Sequence, residues 1–395
     1  MSFRCQACHS ANVRIFYEVE RIPVHSCLMV STRDEAIDFP RGDLRLGHCA
    51  DCGFIQNSAF DAHVQNYNTD YEETQGFSPR FQKFLTEIVE DQIARYDLRD
   101  KTCLEIGCGK GEFLVELCEK GPNRGIGVDP SYRPERTTSE AASRIEFIQD
   151  LYSEKYTHLR ADYIACRHTL EHIGPVHEFV RMIRNTLDEK PDTVVFFELP
   201  DVERVLEERA FWDMYYEHCT YFTLGSLARL FRACDFELLD LYKVYDGQYL
   251  MIECKPVPAG EGARGKHFDT EDDLEKTDRQ VREFETKIQQ KFEGLRADLD
   301  RWQREGRKPV VWGSGSKGVS YLTTLGLTDE IEVVVDINPH KHGKYLAGTG
   351  HIIVGPDDLV DVKPDVVLVM NPIYVEEIRA DLAKRGLTPE LVPMD

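Results

Sequence analysis

No apolar run in the 395 residues approaches the ~20 consecutive positions that a membrane-spanning helix needs, which excludes a membrane-embedded chain of the helical kind. The start, Met1-Ser-Phe-Arg-Cys-Gln6, is polar and lacks the apolar centre of a secretory signal, so the expected location is the cytoplasm. Basic residues are in deficit: 48 Lys and Arg stand against 70 Asp and Glu, a formal net charge of −22. A binder of long phosphate backbones clusters Lys and Arg, so nucleic acid is not an expected partner. No repeat of solenoid period is visible either. What is not scarce is cysteine, with 12 residues. In a chain without a secretory signal these read as thiols or metal ligands rather than disulfides. The length suggests two or three domains at roughly 100–200 residues each.

Four of the cysteines form two C-x-x-C pairs, Cys5/Cys8 and Cys49/Cys52, each in a short polar turn. Two such knuckles can close one tetrahedral site of four thiolates, which suits zinc and leaves no position open for a substrate. The alternative is a redox pair or unrelated buried thiols. Residues 1–75 are therefore expected to be a small zinc-binding module with a structural or substrate-gating role.

From Ser78 the pattern becomes helical, with Ser78 as N-cap, Pro79 at the first helical position, and Phe81, Phe84, Leu85, Ile88, Val89 and Ile93 at helical spacing. Strand-like runs follow at 102–106, 124–128, 145–148, 163–166 and 193–197, alternating with helical stretches, which predicts a parallel α/β sheet. This second domain is expected over 76–255, ending before the Pro- and Gly-rich stretch 255–266. A linker and long amphipathic helix fill 256–306. Apolar residues at 274, 281, 284, 288, 292, 295, 299 and 302 form one stripe, over about 50 Å of helix. That stripe reads either as a spacer packed across two domains or as a dimer coiled coil, so monomer and homodimer both stay open. A second α/β unit is expected over 307–395, with strands at 309–312, 331–336 and 366–370.

The segment Cys103-Leu-Glu-Ile-Gly-Cys-Gly-Lys-Gly111 places Glu105, Gly107, Gly109 and Gly111 between a strand and a helix. Glycines there let the backbone approach a nucleotide-like ligand closely. A pyrophosphate at the helix start would meet an acid at the loop entrance, so Glu105 points to a cofactor with a cationic end and no phosphate. S-adenosylmethionine, with its ammonium and sulfonium, fits.

Glu105-x-Gly107-x-Gly109-x-Gly111 resembles the first motif of class I methyltransferases. The resemblance implies that Asp129, at the end of the next strand run, binds the ribose hydroxyls; one carboxylate can accept from both. It implies adenine contact for Asp150 and a place for His168 in the loop lining the methionine end, whereas His172 reads equally as a packed helix residue. Farther on lies Trp212-Asp-Met-Tyr215-Tyr216-Glu217-His218. An adjacent Glu and His among aromatics would be costly to bury without pairing or use, and a partly desolvated imidazole titrates near neutral pH.

The order of modules, over nearly the full chain, resembles the sugar C-methyltransferase family of deoxysugar antibiotic pathways. That implies an α/β fold with a class I methyltransferase (Rossmann-like) core, a small N-terminal zinc module and a C-terminal Rossmann-like domain. It also implies a nucleotide diphosphate sugar, a 4-keto-6-deoxysugar in the family, as small-molecule substrate. His218 would be the catalytic base, with Glu217 and Tyr215 as helpers and Tyr71 as the active-site tyrosine, Tyr67 close behind it. Methylating carbon needs a carbanion equivalent, which a base makes by removing a proton beside a ketone. The loop Gly313-Ser-Gly-Ser-Lys-Gly318 matches G-x-G-x-x-G with Asp336 beyond it. It reads as a phosphate or substrate cradle through Gly315 and Lys317, as scaffold, or as an NAD site. Pro23–Ser26, Phe39–Asp43 and Tyr71–Gly76 depart from the family's pattern where substrate would be gated, so they bear on substrate identity. Two other readings are an O- or N-methyltransferase on another small metabolite and a non-catalytic scaffold that retains the fold.

Overall fold

Three β-sheets organise the chain, and the computed structural model describes residues 3–28, 30–262 and 265–395 of it. Met1, Ser2, Met29, Ala263 and Arg264 lie outside the described residues, and with them part of the polar start and of the 255–266 stretch.

The first sheet was not expected. Strands β1 (Val13–Pro23), β2 (Arg41–Cys49) and β3 (Ile55–Asn57) run antiparallel between and beside the two cysteine knuckles. The sheet is completed by a strand far along the chain, Thr220–Tyr221, which pairs with β3 through Ile55–Tyr221 and Gln56–Thr220. The sheet therefore spans the boundary at residue 75, with three strands before it and one after it. The pairing also fixes the position of His218, two residues before Thr220, at the seam.

The central sheet contains β4 (Thr102–Ile106), β5 (Arg124–Val128), β6 (Ile145–Ile148), β7 (Tyr163–Arg167) and β8 (Val194–Pro200), all parallel. With the two-residue strand Thr220–Tyr221 counted as β9, a hairpin of β10 (Phe236–Val244) and β11 (Tyr249–Pro256) closes one edge, giving the order β10-β11-β8-β7-β4-β5-β6. The five expected strands are parallel as read, and the hairpin adds an unforeseen antiparallel edge, β11 running antiparallel to β8. The reversal is made at Tyr245, Asp246 and Gly247, all with positive φ. The helix Pro79–Tyr96 forms as its sequence dictates: Ser78 Oγ accepts from the Phe81 N–H at 3.2 Å, Pro79 needs no N–H partner, and Phe81, Phe84, Ile88 and Val89 are buried against the sheet.

The third sheet is parallel throughout, in the order β14 (Ile353–Val354), β13 (Val334–Val335), β12 (Pro309–Trp312), β15 (Val366–Val369), β16 (Glu390–Pro393). Only Val334 and Val335 of the strand expected at 331–336 pair. The helix Leu274–Glu305 runs 32 residues and ends at Gly306, whose φ of 68° stops it. Its stripe is covered by the chain itself: Val281, Phe284, Ile288, Leu299 and Trp302 share one core with Phe16 of β1, Phe211 and Val311. Phe284 stands edge-on to both Phe16 and Tyr17. The stripe is thus a spacer contact joining the first and third sheets.

Candidate active site

Loops at the carboxyl ends of parallel strands leave a crevice where ligands bind in open α/β sheets. In this chain the crevice is one cavity of about 1560 Å³, walled by the β4, β5, β7 and β8 loops, by residues 60–79, and by the β12 and β15 ends of the third sheet. A volume above the ~300–1000 Å³ of a single ligand site leaves room for two molecules side by side.

At one end lie Glu105 and the glycines. Gly107, Gly109 and Gly111 all have positive φ, at 72°, 53° and 85°. A Cβ on Gly107 would meet Thr169 Oγ1 at 1.9 Å, and one on Gly111 would meet the Phe147 ring at 2.8 Å. These two glycines serve internal packing as much as ligand approach. The Gly109 N–H donates to Asp129 Oδ2 at 2.9 Å, and the Ser131 N–H and hydroxyl donate to Oδ1, so Asp129 is fixed across the loop. Glu105 is buried, and its Oε2 has no hydrogen-bond partner. Burial pushes its carboxyl up to about 8. Arg167 pairs with Glu198 yet leaves Nη2 unpartnered. An orphan carboxylate oxygen and an orphan guanidinium nitrogen in one wall match the ammonium and carboxylate of an amino acid. The residues present therefore fit the methionine end of S-adenosylmethionine.

His168 follows Arg167 with a φ of 47°. It sits between Glu198 (3.3 Å) and Glu171 (3.6 Å). Burial disfavours its charge, but the two carboxylates outweigh that and raise it to about 9, so it is an imidazolium held in an ion network. Asp150 does not join the cavity wall. Its carboxylate is turned to Lys155 (2.7 Å) and Tyr156 (2.5 Å), which draw it down to about 2, and the neighbouring Leu151 and Tyr152 line the cavity instead.

The centre of the cavity holds His218, 7% exposed, with Tyr215 Oη at 2.9 Å from Nε2. Desolvation, joined by His172, His168 and Lys317, holds its pKa well below the ordinary histidine value, so the ring is neutral. His172, edge-on to His218 at 4.9 Å, bonds Tyr67 Oη at 2.9 Å and donates from Nδ1 to the Glu217 carbonyl at 3.1 Å. Burial keeps the Tyr67, Tyr71 and Tyr215 phenols protonated, with Glu217 adding to the effect. They are hydroxyl donors in the same wall.

Glu217 is corrected in place. Expected beside His218, its carboxylate points away from the cavity and accepts from His25 Nδ1 (2.6 Å), Ser26 Oγ (2.6 Å) and Tyr71 Oη (3.5 Å). His25 Nε2 accepts from the Asn66 N–H at 2.7 Å, which puts the ring proton on Nδ1 facing Glu217. Residues His218 and Glu217 therefore face opposite sides of their backbone, one to the cavity and one to the Pro23–Ser26 turn. Glu217 anchors Tyr71 rather than touching the imidazole.

On the third wall, Gly315, Ser316 and Lys317 start the helix Ser316–Thr324. Lys317 is already paired with Asp213 at 2.7 Å, and Asp213 also takes Arg204. Asp336, the acid of the NAD-like pattern, accepts from Ser314, from the Asn338 N–H and from Lys341. Several residues that hold the site together were not singled out from the sequence. Lys110, inside the glycine loop, donates to the Tyr71 carbonyl at 2.7 Å and to Glu73 at 3.0 Å. Glu72 bridges Arg136 of the central domain (2.8 Å) and Asn338 of the third sheet (3.0 Å). The lysine within the glycine loop was the one available signal; nothing in the spacing identifies its partner.

The four cysteines of the knuckles converge. Cys5 and Cys52 Sγ are 3.6 Å apart, as are Cys8 and Cys49 Sγ, and all four lie within 4.8 Å of one another. Tetrahedral coordination at Zn–S ≈ 2.3 Å requires S–S edges of about 3.8 Å, close to what is seen. All 12 cysteines are free thiols.

The fold and this site define a methyltransferase, and comparison with known proteins agrees. Residues 80–241 match the family described as "Methyltransferase domain", and residues 265–387 match "C-methyltransferase C-terminal domain". The chain is an S-adenosylmethionine-dependent methyltransferase carrying a C-methyltransferase C-terminal domain. It is similar to the C-methyltransferase NovU of Streptomyces niveus, 25% identical over 305 residues, 74% of this chain and 72% of the relative. Among solved structures it resembles an O-methyltransferase family protein of Burkholderia thailandensis (15% identity, TM-score 0.39, 46% of this chain and 57% of that one). It also resembles the 1,6-didemethyltoxoflavin-N1-methyltransferase of the same organism (19% identity, TM-score 0.35, 47% and 80%). The chain thus spans less than two thirds of the first of these structures. Among the described residues no helix is long and apolar enough to cross a membrane.

Proposed function

We propose that the chain methylates a carbon atom next to the ketone of a nucleotide-linked keto-deoxysugar, with His218 as the base. The observation that carries this reading is a neutral, buried imidazole flanked by protonated tyrosines, in a cavity that also receives the cofactor-binding loop and the third sheet. O-methylation needs no base of this kind aimed at carbon, but C-methylation does. His218 removes the proton beside the ketone, and the Tyr215 hydroxyl stabilises the oxygen on which negative charge develops, joined by the Tyr71 hydroxyl once that turns from Glu217. When bound, S-adenosylmethionine supplies an electrophilic methyl group to the resulting carbon nucleophile. Glu105, Arg167 and Asp129 would hold it, and residues 65–78, which wall the cavity, keep water from the enolate.

Gly315, Ser316 and the paired Lys317 face the substrate half of the cavity, which supports a cradle for the nucleotide diphosphate. Asp336 has its acceptor capacity largely taken by Ser314, Asn338 and Lys341, which weighs against the NAD alternative. The four thiolates fit zinc in a closed, structural site, and the four-part division at residues 75, 255 and 306 is our working description of the chain. The direct test is proton exchange: with a nucleoside-diphosphate 4-keto-6-deoxysugar in deuterated water, the enzyme should wash deuterium into the carbon beside the ketone. Methyl transfer without any such exchange, on a substrate lacking a ketone, would favour an O- or N-methyltransferase.

Glu105 provides a second test. Its free-state carboxyl is pushed by burial to about 8, and a cationic ammonium favours the ionised form, so binding must release a proton below that pH. Affinity for S-adenosylhomocysteine should tighten by up to about tenfold per pH unit as pH rises toward 8, then level off. A flat profile from titration calorimetry would remove Glu105 from the ammonium site.

A further inference from the structure

At the rim of the cavity, which Glu178 helps to line, one cluster of metal-ligating side chains has no role in the chemistry above. His9, His177 and Glu178 each bring one ligand atom within 4.8 Å of the other two. Their side chains make no hydrogen bond or ion pair with other described residues, so their donor atoms are free for a ligand. The two imidazoles meet edge-on at 4.8 Å between ring centres.

The backbone presents them deliberately. His9 follows Cys8 and holds a φ of 61°, in the left-handed region that a histidine seldom adopts, with its N–H donating to the Cys5 carbonyl at 2.9 Å. The knuckle turn therefore projects this ring outward. His177 and Glu178 lie in the first turn of the helix Val176–Asn185, and the His177 N–H donates to the Gln6 carbonyl at 3.3 Å, which ties the helix start to the same knuckle. The neighbouring cation, Arg181, is neutralised by Asp235 at 2.5 Å.

We propose that His9, His177 and Glu178 form a second metal site, for a late first-row divalent ion such as Zn2+, distinct from the four-cysteine cluster. Two imidazoles and a carboxylate suit such ions, and the remaining coordination positions stay open to water. Electrostatics favour a second cation here: four thiolates around one divalent ion leave a net charge of about −2 one residue away, and Glu178 adds another negative charge. The physical consequence is a staple. The ion joins the N-terminal knuckle to the helix that directly follows the loop 168–175, and that loop carries His168, Glu171 and His172 into the cavity.

The test compares metal content of the full chain after equilibrium dialysis against micromolar free Zn2+, for wild type, His177→Ala and His9→Asn. Asparagine tolerates the left-handed backbone at position 9, so this variant keeps the knuckle turn while removing the imidazole. Wild type should retain one zinc more per chain than either variant, each of which keeps the cysteine-bound complement. Equal zinc content in all three proteins overturns the proposal.

Discussion

Replacing His218 by alanine should lower methyl transfer by about 1000-fold, within the range that a positioned general base contributes. Affinity for S-adenosylhomocysteine should stay within about threefold, because the change removes an interaction made in the reaction rather than one that binds cofactor. The reason lies in position. His218 touches Tyr215 and faces His172, but the cofactor wall is built by Glu105, Asp129 and Arg167 at the ends of other strands. Deuterium wash-in beside the ketone should disappear together with methylation, since both begin with the same proton removal. If the variant keeps the exchange and loses only methyl transfer, the base is another group and His218 is a wall residue. Loss of cofactor affinity with exchange intact would overturn the assignment equally. Tyr215→Phe provides a graded companion: the imidazole stays, one hydroxyl goes, and a smaller loss in rate should follow.

Cys49→Ser should release one zinc per chain and lower the thermal midpoint by about 10 °C, as a loss of roughly 3 kcal/mol does in a domain of this size. The effect should reach well beyond the knuckle. Cys5, Cys49, Cys52 and Phe54 belong to the same apolar core as Leu104, Ile106, Phe222 and Leu224 of the central domain. Arg229 also donates to the Cys52 carbonyl at 2.9 Å. A loosened knuckle therefore slackens the β3 pairing with Thr220–Tyr221, and with it the placement of His218. Metal analysis and differential scanning calorimetry on one preparation read both parts of the prediction. Retention of zinc with an unchanged midpoint would show that the four thiols are independent and share no metal.

The cofactor half of the site was legible because it is local. The Glu105 to Gly111 loop, the strand β5 ending before Asp129, and the cap at Ser78 and Pro79 are each fixed by residues a few positions apart. Short-range backbone sterics and capping favour each of them, so a few neighbouring residues suffice to mark them in the sequence. The cysteine knuckles were legible for a different reason: thiolate spacing has few uses besides metal binding in such a chain. Asp150 shows where local reasoning stopped, since the position after β6 was found but not the pull of Lys155 and Tyr156 on its carboxylate.

By itself, then, the sequence determined the order of the modules, the cofactor class, and the chemistry available at Tyr215 and His218. Only the tertiary structure decided which way the neighbours of His218 face. Glu217, in the turn before Thr220–Tyr221, reaches His25 and Ser26 while His218 enters the cavity, and the pairing of Gln56 with Thr220, 164 positions apart in the chain, holds that turn at the seam. Lys110 holding the Tyr71 carbonyl, and Glu72 joining Arg136 to Asn338, are likewise long-range contacts between elements with no shared spacing in the sequence. Long-range pairing carries no periodic signature, so it appears only when the three sheets close around one cavity.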